Sequence, residues 1–180
     1  GVDYPHLLDI GRAKLDKLVP RRFADKMMRR LLGMIIPYAG RFRMMIALAR
    51  IGRLFSGAMP TALRAALIKI PAELKPFDRV GSHDAVFSPD KKPVKRVALL
   101  AGCAQRALDP EINASTIRVL NRLAVEVVVR SEVHCCGALA HHIGETDRAH
   151  HTVRAAVLAW YDEMKSGGLN AIVVNASGCG

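Results

Sequence analysis

Four cysteines are the residues of this sequence most able to do chemistry: Cys103, Cys135, Cys136 and Cys179, spaced C-x31-CC-x42-C. A disulfide scaffold does not fit them. A bond between vicinal cysteines is strained, and nothing in the chain indicates an oxidising compartment. The plain alternative is that they are small buried hydrophobes, but none falls inside an expected strand or on a helical apolar stripe. Gly102, Gly137, Gly178 and Gly180 stand beside them and permit tight turns and close backbone approach to a bound group. Four thiolates brought together repel one another unless a cation neutralises them. Soft sulfur ligands select zinc, Cu(I) or an iron–sulfur cluster. Adjacent residues of an extended chain point in different directions, so the Cys135–Cys136 pair suits one tetrahedral zinc poorly and a cluster of several metal atoms better. An iron–sulfur centre held by Cys103, Cys135, Cys136 and Cys179 is therefore the expected site, with zinc as the alternative.

The surrounding pattern says how these residues could meet. Residues 96–102 (RVALLAG), 126–130 (EVVVR) and 170–175 (NAIVVN) are short apolar runs of the kind that forms strands buried on both faces. Between the first two, Asp109-Pro110 predicts a helix start, continuing to about Leu123 with Ile112, Val119, Leu120 and Leu123 inward. Between the second and third, a helix begins near 144–147 with the stripe Ala149, Val153, Val157, Trp160 and Met164, and stops at Gly167-Gly168. The result is an α/β class, a parallel-sheet β-α-β-α-β cysteine-rich domain with right-handed crossovers. In such a sheet every strand ends on the same edge, where ligands bind. Cys103 follows the first strand, Cys135-Cys136 the second and Cys179 the third.

An all-helical basic segment precedes this domain. Residues 1–80 hold 16 Lys+Arg against 6 Asp+Glu, a net of +10, whereas residues 81–180 hold 11 against 10, a net of +1. Prolines divide the first 70 residues into helices. One covers about 20–36, with Pro20 in its first turn and Phe23, Met27, Leu31 and Met34/Ile35 on one face among Arg21, Arg22, Lys26, Arg29 and Arg30. A second, about 40–55, carries Phe42, Met45, Leu48, Ile51 and Phe55. Pro60 opens a third with Leu63, Leu67 and Ile70. Residues 71–95, with Pro71, Pro76, Pro89 and Pro93, read as a linker. The expected division is 1–70 helical, 71–95 linker and 96–180 cysteine-rich domain, truncated at its C-terminal end and cut from a longer protein.

The basic helices admit three readings: a solvated charged face, a docking surface in a multi-subunit complex, or attachment to an anionic membrane surface. No stretch of 18 apolar residues exists to span a bilayer. Aromatics are 5% of the chain and no nucleic-acid motif is present, so nucleic-acid binding is not expected. Beside the cysteines, His134 could serve a centre indirectly. Of His141 and His142, one is expected to pack and the other to face water, and His150-His151 should be solvated. Trp160 is expected in the core, Asn175 to pin the turn before Cys179, and Asn113 to cap a helix.

The stretches VALLAGCAQ (97–105), INASTIRVLNRL (112–123), HCCGALAHHIG (134–144) and GGLNAIVVNASGCG (167–180) resemble the CCG cysteine-rich domain of heterodisulfide reductase-type subunits. Within that group they are most similar to the iron–sulfur subunits of bacterial glycolate oxidases (glycolate dehydrogenases). PYAGRFRMMIALARIGRL (37–54) resembles the linker after the ferredoxin-type domain of those subunits. The resemblance implies a 4Fe-4S-type cluster on the four cysteines and electron transfer as the chemistry. A partner flavin subunit carrying FAD would oxidise glycolate to glyoxylate, and electrons would pass toward quinone. It also implies a cytoplasmic location, peripheral on the inner face of the plasma membrane. The family motif ends C-x-x-C; here Ala176 stands at the first of those cysteines, leaving four thiolates instead of five. Ala124 likewise stands where a helix C-cap glycine is expected. The alternatives within the resemblance are a heterodisulfide reductase-like thiol/disulfide module, or the corresponding subunit of a lactate or glycerol-3-phosphate dehydrogenase.

Overall fold

The computed structural model describes residues 2–58, 61–71, 73–76 and 80–179. The helix start expected at Pro60, the flanking Gly180, and the side chains of Phe55 and Leu63 lie outside the described residues. Helices α1 (Tyr4–Leu18), α2 (Phe23–Ile35), α3 (Ala39–Gly52) and α4 (Thr61–Ile68) form the N-terminal part, with a 3-10 stretch at Arg53–Ala58. Pro37 ends α2, because proline lacks the N–H that would continue the ladder. Pro20 precedes α2 by two residues instead of sitting in its first turn.

The apolar stripe of α2 turns outward. Phe23, Met27, Leu31 and Met34 are exposed, while Gly33 on the opposite side is buried. Helix α3 does the same: Ala39 and Ile46 face in, and Met44, Leu48 and Ile51 face out. The inner faces dock through arginines. Arg43 donates to the carbonyls of Ala107 (3.0 Å) and Lys75 (2.8 Å), Arg148 donates to Gly33 (3.0 Å), and Arg29 donates to Ile143.

The sheet has four strands, β1 (Ala85–Phe87), β2 (Lys95–Leu100), β3 (Val125–Val129) and β4 (Ala171–Val174), in the order β1-β3-β2-β4. β2 pairs in parallel with both neighbours, Val97 opposite Val127 on one side and Val97 opposite Ala171 on the other. The expected β-α-β-α-β core is present, but the sheet is mixed. β1 lies within the expected linker and pairs antiparallel with β3 (Val86 opposite Val128). Three residues between prolines carry too little periodicity to announce a strand, and β3 supplies the partner that makes one.

Alternation along β2 and β3 divides the core. Val97, Leu99, Ala101, Val125, Val127 and Val129 face Ile117 and Leu120 of α6 (Glu111–Arg122). Leu100 faces Val133 and the residues Ala156, Ala159 and Trp160 of α8 (Thr146–Ser166). Each fully buried Val or Leu contributes about 1.5–3 kcal/mol. Trp160 is half-buried against this second cluster.

Both crossover helices are rotated from the faces expected of them. Ile112 and Val119 of α6 and Leu123 just beyond it are exposed, while Asn113 and Ile117 are buried. On α8 it is Ala149, Ala156, Ala159 and Glu163 that face in, and Val153, Val157 and Met164 that face out. Small alanines let α8 approach the sheet closely. Glu163 is taken in because Arg96 (2.7 Å) and Arg130 (3.1 Å) reach it beneath the helix. A short helix, α5 (Cys103–Leu108), precedes α6. Asp109 does not cap α6; its carboxylate accepts from Lys75 at 2.7 Å.

Ala124, joining α6 to β3, has φ +58, the left-handed region. This costs an L-residue roughly 1–2 kcal/mol, yet the turn is needed: Ala124 donates to Asn121 and its carbonyl accepts from Val94 at 2.9 Å. Ala124→Gly should therefore raise stability by about 1 kcal/mol, read as a higher urea midpoint with unchanged m-value.

Candidate metal centre

The three parallel strands end at one edge and deliver all four cysteines there. Cys103 is the first residue of α5, two residues beyond Ala101 and its buried neighbour Gly102. Cys135-Cys136 lie between β3 and α7 (Ala138–His142). Cys179 closes a 3-10 turn at Ser177–Cys179, its N–H donating to Ala176 at 2.9 Å.

Gly137 makes the CCG turn possible. Its φ is +87, and a Cβ there would sit 3.1 Å from both the Ala149 carbonyl and Val153 Cγ2. With no side chain, the backbone folds back so that the Gly137 N–H points at Cys135 Sγ and the Ala138 N–H at Cys136 Sγ, both at 3.4 Å. N–H groups aimed at sulfur are one of the means by which a protein stabilises thiolate charge and tunes an iron–sulfur centre.

The sulfurs are linked pairwise. Cys135 donates to Cys103 at 3.9 Å; Cys136 donates to Cys135, and Cys179 to Cys136. The acidities follow the direction of donation. Accepting from Cys135 pulls Cys103 below the usual thiol value. Donating to Cys103 pushes Cys135 up to about 11. Donation to Cys135, with burial, drives Cys136 up as well. Burial first, then donation to Cys136, pushes Cys179 up to about 11. Cys136 and Cys179 both pack against Leu100, Val133, Ala156 and Ala159.

Among the described residues, no three His, Cys, Asp or Glu side chains surround a single point as one metal ion requires. Cys103, Cys135, Cys136 and Cys179 are soft sulfur donors, two of them faced by backbone N–H groups, which is the donor chemistry that a thiolate-bound metal group uses. Ala176, at the missing fifth cysteine, has its Cβ 4.0 Å from where a Gly102 side chain would begin. That position therefore lies beside the Cys103 turn.

Of the other residues singled out, His134 is half-buried and stacks on Tyr38 (centroids 5.1 Å apart), with Arg41 over the opposite ring at 4.4 Å. His141 is half-buried and His142 exposed, their rings 5.8 Å apart, and His150 and His151 are exposed. Tyr38, His134, Cys135, Arg148 and His151 line a cavity of about 230 Å³ between the helical segment and the CCG turn. No sequence signal marks Tyr38 as a neighbour of His134, since the two are 96 positions apart and only the docking of α2 and α3 joins them.

Residues 97–180 match the model of the CCG family, "Cysteine-rich domain". Over its whole length the chain is related to glycolate oxidase-type iron–sulfur subunits. It is 35% identical to the "Glycolate oxidase iron-sulfur subunit" of Escherichia coli (strain K12), covering all of this chain and 40% of that protein. It is 26% identical to the "Probable glycolate oxidase iron-sulfur subunit" of Bacillus subtilis (strain 168), again over all of this chain and 42% of that protein. The chain thus spans about two fifths of the length of these curated relatives. No solved structure matches.

Because three of the four thiols are held protonated, metal must displace their protons, and its affinity should rise with pH across the neutral range. Zinc titrated into metal-free protein, by calorimetry in buffers of different ionisation enthalpy, should release protons and bind more tightly at pH 8 than at pH 6.5. Affinity independent of pH would contradict the thiol assignment.

Proposed function

We propose that this chain is part of the electron-transfer iron–sulfur subunit of a glycolate dehydrogenase-type complex. Electrons would reach it from a flavin subunit that oxidises glycolate to glyoxylate and leave toward quinone. Cys103, Cys135, Cys136 and Cys179 would hold the cluster, which supplies one-electron transfer when bound. The observation that carries the reading is the delivery of four cysteines to one edge by three strand ends, with Cys135 3.9 Å from Cys103 and two backbone N–H groups aimed at sulfur. Family relationship supports the same reading. The chain's own residues orient Cys135 and Cys136 through the Gly137 turn and keep solvent from Cys103 and Cys135.

The intact protein, purified without oxygen, should contain iron and acid-labile sulfide. Cys135→Ser and Cys136→Ser should each lower the iron content and reduce glycolate-dependent dye reduction by the complex at least about a hundredfold. Stoichiometric zinc without iron, or full activity in the serine variants, would overturn the reading. A thiol/disulfide redox module is the second reading, favoured by the 3.9 Å contact of Cys135 with Cys103; turnover of a disulfide substrate without 2-hydroxy-acid oxidation would support it instead.

The same proposal places the protein on the inner face of the plasma membrane through α2 and α3. Phe23 is 81% exposed at the end of an outward apolar stripe bordered by Arg22, Lys26 and Arg30, the composition of an interfacial helix. Among the described residues no single helix is long and apolar enough to cross a membrane, and the α2–α3 pair is bent by 119°. The intact protein should sediment with phosphatidylglycerol-containing vesicles and not with pure phosphatidylcholine. Phe23→Asp combined with Met27→Asp should weaken this about tenfold or more.

A further inference from the structure

Three amide side chains lie between Cys103 and Cys179, and nothing in the function proposed above uses them. Asn113 is in the first turn of α6 and fully buried. Asn175 follows β4 directly, two residues after Val173, which packs on the α6 side of the sheet. Gln105 is on α5, two residues after Cys103. Asn175 Nδ2 donates to Asn113 Oδ1 at 3.1 Å and to Thr116 Oγ1 at 3.0 Å. Gln105 Nε2 donates to the Asn175 carbonyl at 3.3 Å. Asn175, four residues before Cys179, is thus tied to α6 by its side chain and to the helix that carries Cys103 by its backbone.

Stability alone does not account for this arrangement. A buried, sheet-facing helix position is ordinarily filled by Leu or Ile, and a buried amide is costly wherever its polar atoms lack partners. Here Asn113 Nδ2, Asn175 Oδ1 and Gln105 Oε1 are buried with no partner in the protein. What directional hydrogen bonds supply, and apolar packing does not, is one fixed register. Strand pairing ends at Val174 opposite Leu100, so beyond it the ladder no longer positions the chain. The amides take over where the ladder stops.

We propose that Asn113, Asn175 and Gln105, with Thr116, form a positioning latch that sets the Cys179 segment against the Cys103 helix. The latch fixes the separation of the two outer cysteines. Its consequence for a metal centre rests on the iron–sulfur reading; its consequence for cysteine exposure does not.

Two measurements on the intact protein test it. In metal-free protein, iodoacetamide alkylation followed residue by residue by mass spectrometry should be about tenfold faster at Cys179 in Asn175→Ala and Thr116→Val, the size expected when a buried hydrogen bond that opposes local opening is lost. Cys103 and Cys135 should be unchanged, and Thr116→Ser, which keeps the hydroxyl, should behave as wild type. In anaerobically prepared protein, Thr116→Val should retain iron but show a shifted electron paramagnetic resonance spectrum and midpoint potential. Unchanged Cys179 reactivity in a folded Thr116→Val variant would overturn the latch, and so would an equal rise at all four cysteines. If Asn175→Ala does not fold, Thr116→Val decides alone. If the wild type binds no iron, the functional proposal fails while the alkylation result still decides the latch.

Discussion

Parallel pairing of β2 with two neighbours at once, β3 on one side and β4 on the other, is the constraint on which the rest of the molecule depends. Because all three strands run the same way, their carboxyl ends share an edge, and loops from three distant stretches of sequence open there. The two crossovers must run over opposite faces to reach opposite sides of β2. Accordingly, α6 covers the Val97–Leu99–Ala101 face and α8 the Leu100 face. Cys103 leaves the central strand, the CCG turn leaves one flank and Cys179 the other. Shifting either register by one residue would exchange inward and outward side chains along the whole strand and separate the thiols.

The cluster that results is electrostatically one object. Three thiols donate along the row and Cys103 only accepts, so ionisation is pushed toward Cys103 and held back at Cys135, Cys136 and Cys179. Four neighbouring sulfurs, two of them buried and two half-buried, cannot all carry charge without a cation to neutralise them. That coupling makes the assembly a proton-binding group without metal and a donor set with it. The Gly137 turn adds two N–H dipoles, one aimed at Cys135 Sγ and one at Cys136 Sγ.

The basic helical segment is more than a tether. Tyr38 stacks on His134 beside Cys135, and Arg43 and Arg148 fasten α3 and α2 to the cysteine-rich part. The polar, glycine-bearing side of α2 faces the protein and its apolar side faces away. This inverts the usual orientation of an amphipathic helix on a water-soluble core and leaves the apolar side of the segment exposed.

The strands of the parallel core, the order of crossovers and the edge that gathers Cys103, Cys135, Cys136 and Cys179 were legible in the sequence, because continuous valine-rich runs and proline and glycine stops are local signals. So was the turn at Ala124, whose positive φ is what a missing C-cap glycine would leave behind. What only the tertiary structure decided were relations without a local signature. β1 exists because β3 offers it a partner. α6 turns Asn113 inward in place of Val119, because Asn175, just past the end of β4 and sixty-two positions away, meets it. α8 buries alanines and Glu163 in place of its larger apolar residues, because the sheet lies close and two arginines wait beneath. Helical periodicity reveals that a helix has an apolar face; which face is buried depends on what the rest of the chain packs against it.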